Sequence, residues 1–285
     1  ITVTHFSEWS SVIHDNLEKL ELSYEKKKTN ELEDLIQKSF EEERTCYERM
    51  DQVISLSNYM QELLYHDYGV DINRIIIIPN GMSDKIKEEV DQKDYEKMAL
   101  VPRRTNDYFV GRLEEIKGTH FLIRAFQLIL QESPKLRLWI VGDGDYQNSF
   151  SEANPIFSKI TFTGFVDQPA FELYRLADVG VVPSIEPFGY VPVEMIMHEL
   201  PIVATATSGL NEVVDESCGL KVPLIVSPDS VEMTPPVSAE DRLPIQNPKE
   251  AKRLGKNGRK RYLEKYSSEV IGKNMIAFYK SLFQE

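Results

Sequence analysis

Short apolar runs alternate with helical patterns along most of this chain. The runs QVISLS, DYFVG, LRLWIVG, ITFTGF, VGVVPS and PIVATA are each followed by a turn and then by a segment that suits a helix. The runs RIIIIP and VGVVP are apolar throughout, as expected for strands that are buried on both faces. This alternation predicts an α/β fold with doubly wound parallel sheets covered by helices.

The strands fall into two series, which at roughly 150 residues per domain suits two domains. The first series ends near residue 83, the second runs from about 107 to 222, and a polar segment separates them. We therefore predict a first domain over 1–103, a second over 104–265, and a last helix over 266–285 that crosses back to the first domain. The first series has three clear strands and opens directly on one, which indicates that the amino-terminal part of this domain is missing.

Three other segments carry structural expectations. Residues 29–50 predict one charged amphipathic helix, with Leu32, Leu35, Ile36 and Phe40 on one face. The Pro- and Ser-rich stretch over 224–244 predicts an exposed loop. Two helices are expected to close the chain, over 248–265 and 267–283.

The formal net charge of -13 argues against nucleic acid as a partner, because an acidic surface repels phosphate backbones. The basic segment over 249–262 is the exception. It fits either a solvated helix face or a contact with an anionic membrane surface. Two cysteines and the lack of a secretory leader favour the cytoplasm, with a peripheral position at the inner membrane face as the alternative.

Three groups of candidate site residues follow predicted strands, where doubly wound sheets bind their ligands. In FVGRLEEIKG, Arg112 and Lys117 lie between glycines and suit a diphosphate, although an ordinary loop with solvated charges fits as well. In VGDGDYQ, Gly142 begins a tight turn. We expect no metal there, since Asp143 and Asp145 have no further ligands nearby.

The third group is the segment EPFGYVPVE, which has a glutamate at each end. Glu186 is expected in the loop after a buried strand, and Glu194 about one turn inside the following helix. The free N–H groups at that helix start suit a phosphate, and the two carboxylates suit sugar hydroxyls. The alternative is one surface acid and one acid at a helix start.

Together these motifs resemble a known family. FVGR…KG, VGDG, FTGFV, LADVGVVPS, EPFGYVPVE and LPIVATATSGLNEVV occur in the same order in the retaining, nucleotide-sugar-dependent glycosyltransferases of family 4. The resemblance implies the GT-B fold, in which two Rossmann-like domains face a cleft. This chain departs from the family pattern at Glu199, where a glycine usually ends the helix, so we expect a less favourable helix end there.

The resemblance also implies a role for each site residue. Arg112 and Lys117 match the pair that neutralises the donor diphosphate. Glu186 matches the acid that holds the donor sugar, and Glu194 matches the acid that binds the ribose. His5 resembles a histidine that approaches the donor sugar, although a structural role fits it equally. The remaining positions implied to bind the donor are Gly111, Gly142, Phe165, Val166, Phe188, Gly189, Tyr190 and Val191.

The implied function is metal-independent transfer of a sugar from a UDP- or GDP-sugar to an acceptor hydroxyl, with retained anomeric configuration and without a cofactor. The acceptor could be a glycan, a lipid carrier, a peptide or a small molecule, in bacterial polysaccharide or other glycoconjugate synthesis. Three alternatives stay open. One is a nucleotide-sugar-binding module without turnover, and another is a related GT-B enzyme such as a phosphorylase or epimerase. The last is a membrane-surface scaffold that uses the basic segment over 249–262.

Overall fold

A computed structural model describes residues 2–3, 31–87, 106–110, 113, 117–144, 146–166, 173–186, 188–207, 209–223, 225–227, 230–234 and 247–283. The helices and strands, in chain order, are β1 (Thr2–Val3), α1 (Glu31–Glu48), β2 (Val53–Ser55), α2 (Asn58–His66), β3 (Ile75–Ile77), β4 (Asn106–Val110), α3 (Thr119–Glu132), β5 (Arg137–Val141), α4 (Tyr146–Ala153), β6 (Ile160–Gly164), β7 (Val179–Val182), α5 (Tyr190–Met197), β8 (Ile202–Thr205), α6 (Leu210–Val213), β9 (Gly219–Val222), β10 (Ile225–Ser227), β11 (Ser230–Thr234), α7 (Pro248–Arg261) and α8 (Ser268–Leu282). A π-helical turn over Tyr262–Tyr266 joins the last two helices.

The first part of the chain forms a parallel three-stranded sheet in the order β1-β2-β3. Helices α1 and α2 cover it, and Ile36, Phe40 and Leu64 are buried in the shared core. The predicted helix over 29–50 is therefore confirmed, but its apolar face is narrower than expected. Leu35 is 60% exposed and does not belong to the core, which corrects its assignment to the buried face.

The second part forms a parallel six-stranded sheet in the order β6-β5-β4-β7-β8-β9. The strand order reverses direction between β4 and β7, so the loops that follow these two strands lie at the switch point where such sheets bind ligands. Separate apolar clusters pack on the sheet, one around Phe126 and Leu138 and one around Val193 and Ile202. The α/β fold with parallel sheets is thus confirmed.

The Pro- and Ser-rich stretch after β9 is not only a loop. Residues 225–227 and 230–234 pair as an antiparallel hairpin, β10 and β11. The sequence prediction of an exposed loop over 224–244 is therefore wrong for these residues. In the sequence, Pro228 and Asp229 separate the two strands, and these residue types favour tight turns as well as longer loops.

The two parts of the chain meet at the last helices. Phe278 of α8 packs against Ile54 of β2 and against Ile78, which follows β3. The backbone of Met82 adds three hydrogen bonds. Its N–H donates to the Tyr266 carbonyl, and its carbonyl accepts from the Ser268 N–H and the Tyr262 hydroxyl. Helix α8 therefore packs on the three-stranded sheet. We refer to the three-stranded sheet with its helices as the first domain, and to the six-stranded sheet with its helices as the second domain.

The end of α5 is strained, as the departure at Glu199 predicts. Glu199 has a φ of 60°, in the left-handed region where side chains other than glycine are disfavoured. Its carbonyl lies directly against Gly255 of α7, where a Cβ atom would overlap the Glu199 carbonyl oxygen. Close contact between α5 and α7 therefore depends on a glycine in α7.

We predict that Gly255→Ala destabilises the protein by about 1–3 kcal/mol, because the added methyl group forces the two helices apart. Gly272→Ala is the matched control: it also lies inside a helix, but a Cβ atom there has no neighbour within 4 Å. Alanine at residue 272 should stabilise by about 0.5–1 kcal/mol through helix propensity. Urea unfolding of both variants measures the difference, and equal midpoints would contradict this account of α5 and α7.

Candidate functional site

The loop after β7 is fixed in place by buried polar contacts. The hydroxyl of Thr205 donates to the carbonyl of Ser184, and both side chains are buried. The carbonyl of Glu186 accepts a hydrogen bond of 3.0 Å from the N–H of Gly209. Strand β8 and the residue before α6 therefore hold the segment that carries Glu186.

Lys117, in the loop after β4, contacts the Glu186 carboxylate from the opposite side of the switch point. Its Nζ lies 2.7 Å from Glu186 Oε1, and the Ser184 hydroxyl donates to the same oxygen at 2.9 Å. The Lys117 and Glu186 side chains are only 19% and 16% exposed, so this is a largely buried ion pair. The structure thus brings together two of the side chains that the sequence singles out from separate motifs.

The ion pair depends on how Gly118 packs. Gly118 has a φ of 68° and is the residue before α3. A Cβ atom there would overlap the carbonyl oxygen of Pro183 at the end of β7. The start of α3 therefore contacts the end of β7 directly, which places Lys117 beside Glu186.

Gly189 begins α5 next to this pair. As the N-cap residue it has no side chain that could occupy the first N–H groups of the helix. A Cβ atom at Gly189 would lie 3.3 Å from Glu186 Oε2 and 2.9 Å from Pro192 Cδ. The start of α5 is thus close to the carboxylate of Glu186, and its positive end offers donors to an anion.

The side chains around Gly189 differ in exposure. Phe188 and Val191 pack against the core of the second domain, and the Phe188 ring centroid lies 5.9 Å from that of Tyr266. Tyr190 is 48% exposed. Of these three predicted binding residues, Tyr190 thus has the most solvent-exposed side chain.

Glu194 lies deeper than the sequence suggests. The hydroxyl of Tyr174 donates to its Oε2 at 2.7 Å. Burial raises the pKa of Glu194 above its ordinary value, and the hydrogen bond from Tyr174 opposes this shift. Burial therefore disfavours the charged form of Glu194, and acids with perturbed pKa values cluster at functional sites.

The loops after β5 and β6 are joined to each other and to the loop after β4 by backbone hydrogen bonds. Gly142 N–H donates to the Gly164 carbonyl at 3.0 Å, and Leu113 N–H donates to the Asp143 carbonyl at 3.0 Å. The tight turn expected after β5 is therefore packed against the loop after β4. Beyond β6, Phe165 is 77% exposed and Val166 is partly buried.

Three predicted site residues, His5, Gly111 and Arg112, lie outside the described residues. Sequence reasoning missed Ser184 and Tyr174, which bond the two glutamates. Ser184 belongs to the quoted run VGVVPS, so its position next to Glu186 was a usable signal. The sequence around Tyr174 gave no such signal, because nothing in it shows which helix the Tyr174 side chain faces.

Two other kinds of feature are absent from the described residues. No three His, Cys, Asp or Glu side chains among them converge as metal ligands. None of the described helices combines the length and apolar character that crossing a membrane requires.

Comparison with known proteins assigns the second domain. Residues 106–234 match the family of glycosyl transferases group 1. An uncharacterized glycosyltransferase of Methanocaldococcus jannaschii is 30% identical over 247 residues, which cover 80% of this chain and 60% of that protein. The chain spans less than two thirds of that relative's length.

Solved structures agree with this assignment. Sucrose-phosphate synthase from Thermosynechococcus elongatus superposes with a TM-score of 0.71 at 28% identity, covering 87% of this chain and 62% of that one. Anabaena HepE in complex with UDP-glucose superposes with a TM-score of 0.72 at 18% identity, covering 86% and 68%. Residues 106–234 of this chain therefore match the glycosyl transferases group 1 family, and the chain has the GT-B fold.

Proposed function

We propose that the protein is a retaining glycosyltransferase that moves a sugar from a nucleoside-diphosphate sugar, a UDP- or GDP-sugar, to an acceptor hydroxyl. The observation that carries this proposal is the Lys117–Glu186 pair beside the open start of α5. It places a cation, a carboxylate and helix N–H donors at one switch point, which suits a ligand with both phosphate and hydroxyl groups. The structural similarity to HepE in complex with UDP-glucose supports a UDP-sugar as the donor.

In this proposal the two charged side chains separate when the donor binds. Lys117 and the N–H groups at the start of α5 stabilise the diphosphate, together with Arg112. Glu186 accepts hydrogen bonds from sugar hydroxyls, and Glu194 accepts them from the ribose. Since the cations are supplied by the protein, no metal is needed to neutralise the leaving group.

The proposed reaction breaks the bond between the anomeric carbon and the phosphate oxygen. The acceptor oxygen forms its new bond on the same face of the sugar, which retains the configuration. The acceptor proton passes to the leaving phosphate oxygen, and a nucleoside diphosphate departs. The protein contributes charge stabilisation and orientation.

The first test is donor binding and turnover in a matched pair of lysine variants. Lys117→Gln should lower turnover of the preferred UDP- or GDP-sugar by about 100-fold, because a stabilising charge at the leaving group is lost. Lys221→Gln is the control, since Lys221 is also largely buried and paired with a carboxylate, that of Glu216. Thermal-shift titration identifies the donor, and release of the nucleoside diphosphate measures turnover. If both variants lose activity equally, the role of Lys117 is wrong.

The products separate the proposal from its alternatives. Release of a nucleoside diphosphate with transfer or hydrolysis of the sugar supports a glycosyltransferase. A sugar phosphate that appears only when inorganic phosphate is added indicates a phosphorylase. Donor binding without any product indicates a binding module.

Glu194→Gln should stabilise the protein while it weakens nucleotide binding. Glu194 has a raised pKa in the folded state, so its contribution to stability is present at low pH and is lost as pH rises through that pKa. The amide keeps an acceptor for Tyr174 without a charge. We expect a higher melting temperature at pH 8 than for the natural protein, by about 2–4 °C per kcal/mol gained, and convergence of the two near pH 4.5.

Thermal melts across this pH range, with and without UDP, test the expectation. Glu216→Gln is the control, because Glu216 is an exposed acid of the same domain. A lower melting temperature for Glu194→Gln at pH 8 would show that the buried charge is structurally favourable, against the proposed role.

We also propose that the outer face of α7 contacts an anionic membrane surface. Its exposed cations recur every three or four residues along one face: Lys249, Lys252, Arg253, Lys256 and Lys260. Arg259 and Arg261 belong to the inner side, where they bond Asp84 and Asp215. The basic segment therefore splits into an inner structural half and an outer half that suits anionic lipid.

Vesicle sedimentation tests this contact. Reversing Lys252 and Lys256 to Glu should reduce binding to phosphatidylserine-containing vesicles by about tenfold or more, since each basic residue near such a surface contributes about 1 kcal/mol. Reversing Lys273 and Lys280 of α8, which are also exposed, should have a smaller effect. Equal binding to vesicles without phosphatidylserine would contradict the proposal.

A further inference from the structure

The carboxylate of Glu212 joins the two domains at the start of a helix. It accepts hydrogen bonds of 2.8 Å from the backbone N–H groups of both Asn58 and Tyr59, and a third from the Asn58 side chain. Ser57 satisfies the next N–H group, that of Met60. The start of α2 in the first domain is thus capped jointly by its own serine and by an acid from the second domain.

Glu212 is itself firmly held within the second domain. Its carbonyl accepts hydrogen bonds from the guanidinium of Arg261 and, at 3.0 Å, from the hydroxyl of Tyr266. Arg261 also donates to the Val213 carbonyl at 2.9 Å and pairs with Asp215. The short helix α6 therefore presents its carboxylate from a fixed backbone.

The same helix is connected to the candidate donor site. Gly209, which precedes α6, donates to the Glu186 carbonyl at 3.0 Å and accepts at 3.0 Å from the N–H of Glu212. Tyr266, which bonds Glu212, also lies against the ring of Phe188. Two sets of contacts thus link Glu212 to the loop that carries Glu186 and Phe188.

A cavity of about 380 Å³ lies beside this connection. Residues of both domains line it, among them Leu56 and Asn58 from the first and Phe188, Glu212 and Tyr266 from the second. Next to this space, Glu212 connects α2 to the loop after β7. Its carboxylate bonds Asn58 and Tyr59, and its N–H bonds Gly209, which in turn bonds Glu186.

We propose that Glu212 is a positioning residue. It holds the first domain in a fixed position relative to the loop after β7 that carries Glu186 and Phe188. This inference rests on the proposed function. In that function the first domain must be correctly placed relative to the sugar that the second domain holds. Glu212 acts through α2 and does not touch the donor. Its loss should therefore reduce turnover while nucleotide binding stays intact.

Glu212→Gln is the first test variant. Its NH₂ group cannot accept from the N–H groups that the carboxylate now binds, so at least one bond across the domains is lost. We expect hydrolysis of the UDP- or GDP-sugar, followed as nucleoside diphosphate release, to fall by about tenfold in kcat. The Kd of the corresponding nucleoside diphosphate should change by less than about twofold, because the donor residues of the second domain are unaltered.

Asn58→Pro removes the two bonds that Asn58 donates to Glu212 and leaves the one from Tyr59. Proline is well tolerated at the first position of a helix, and the preceding Ser57 has the extended backbone, φ −155° and ψ 162°, that a following proline requires. This variant lacks both Asn58 donors without breaking α2. It should reproduce the loss of kcat, and adding it to Glu212→Gln should cause little further loss.

Glu216→Gln is the matched control, since Glu216 is an exposed acid of the same segment that pairs with Lys221. A loss of kcat with unchanged Kd in Glu212→Gln and Asn58→Pro, but not in the control, supports the proposal. Unchanged kcat in a folded Glu212→Gln variant overturns it. So does a parallel loss of nucleotide affinity, which would show a structural role within the second domain.

Hydrogen exchange separates this inference from the proposed function. The Asn58 and Tyr59 amides should exchange at least about tenfold faster in Glu212→Gln than in the natural protein, whatever the ligand. If the natural protein binds no nucleotide sugar, the proposed function fails while this exchange still reports the contact. Equal exchange rates in the two proteins would overturn the positioning role even if the enzyme is active.

Discussion

The ion pair between Lys117 and Glu186 is the interaction on which the candidate site depends. It forms because the backbone at Gly118 packs directly against Pro183, which brings the loops after β4 and β7 together. Removing two charges from water usually costs about as much as their attraction returns, so such a pair is weak evidence for stability. A ligand that offers a diphosphate to Lys117 and hydroxyls to Glu186 would satisfy both groups at once, and this gives the pair a functional reason.

The sequence predicts much of this fold because buried parallel strands are apolar throughout. Runs such as VGVV could be placed in a two-sided sheet from composition alone, and the strand ends then identified the loops with Lys117, Glu186 and Gly189. The sequence pattern did not show which individual side chains are exposed. Leu35 fits the apolar face of α1 by spacing but is exposed, since the width of that face is set by what packs on it. The hairpin of β10 and β11 was missed because Pro228 and Asp229 also suit a longer loop.

Some contacts between distant segments could not be predicted from the sequence. Glu212 and Asn58 are 154 positions apart, and each has an ordinary local explanation, as an acid in a short helix and as a helix-start residue. Nothing in either segment indicates that one completes the cap of the other. The same holds for Tyr174 and Glu194, which are joined by a hydrogen bond that neither segment predicts.

The two glutamates of EPFGYVPVE consequently have different physical situations, although the sequence presents them as a pair. Glu186 is balanced by a cation and a hydroxyl, so it is ready to exchange one partner for another. Glu194 accepts a hydrogen bond from the hydroxyl of Tyr174, and burial makes its charged form costly, which raises its pKa. A ligand that brought further hydroxyl donors to Glu194 would offset that cost. Binding energy at this position would therefore come largely from relief of an existing penalty, which is a reason to keep a carboxylate where an amide would be more stable.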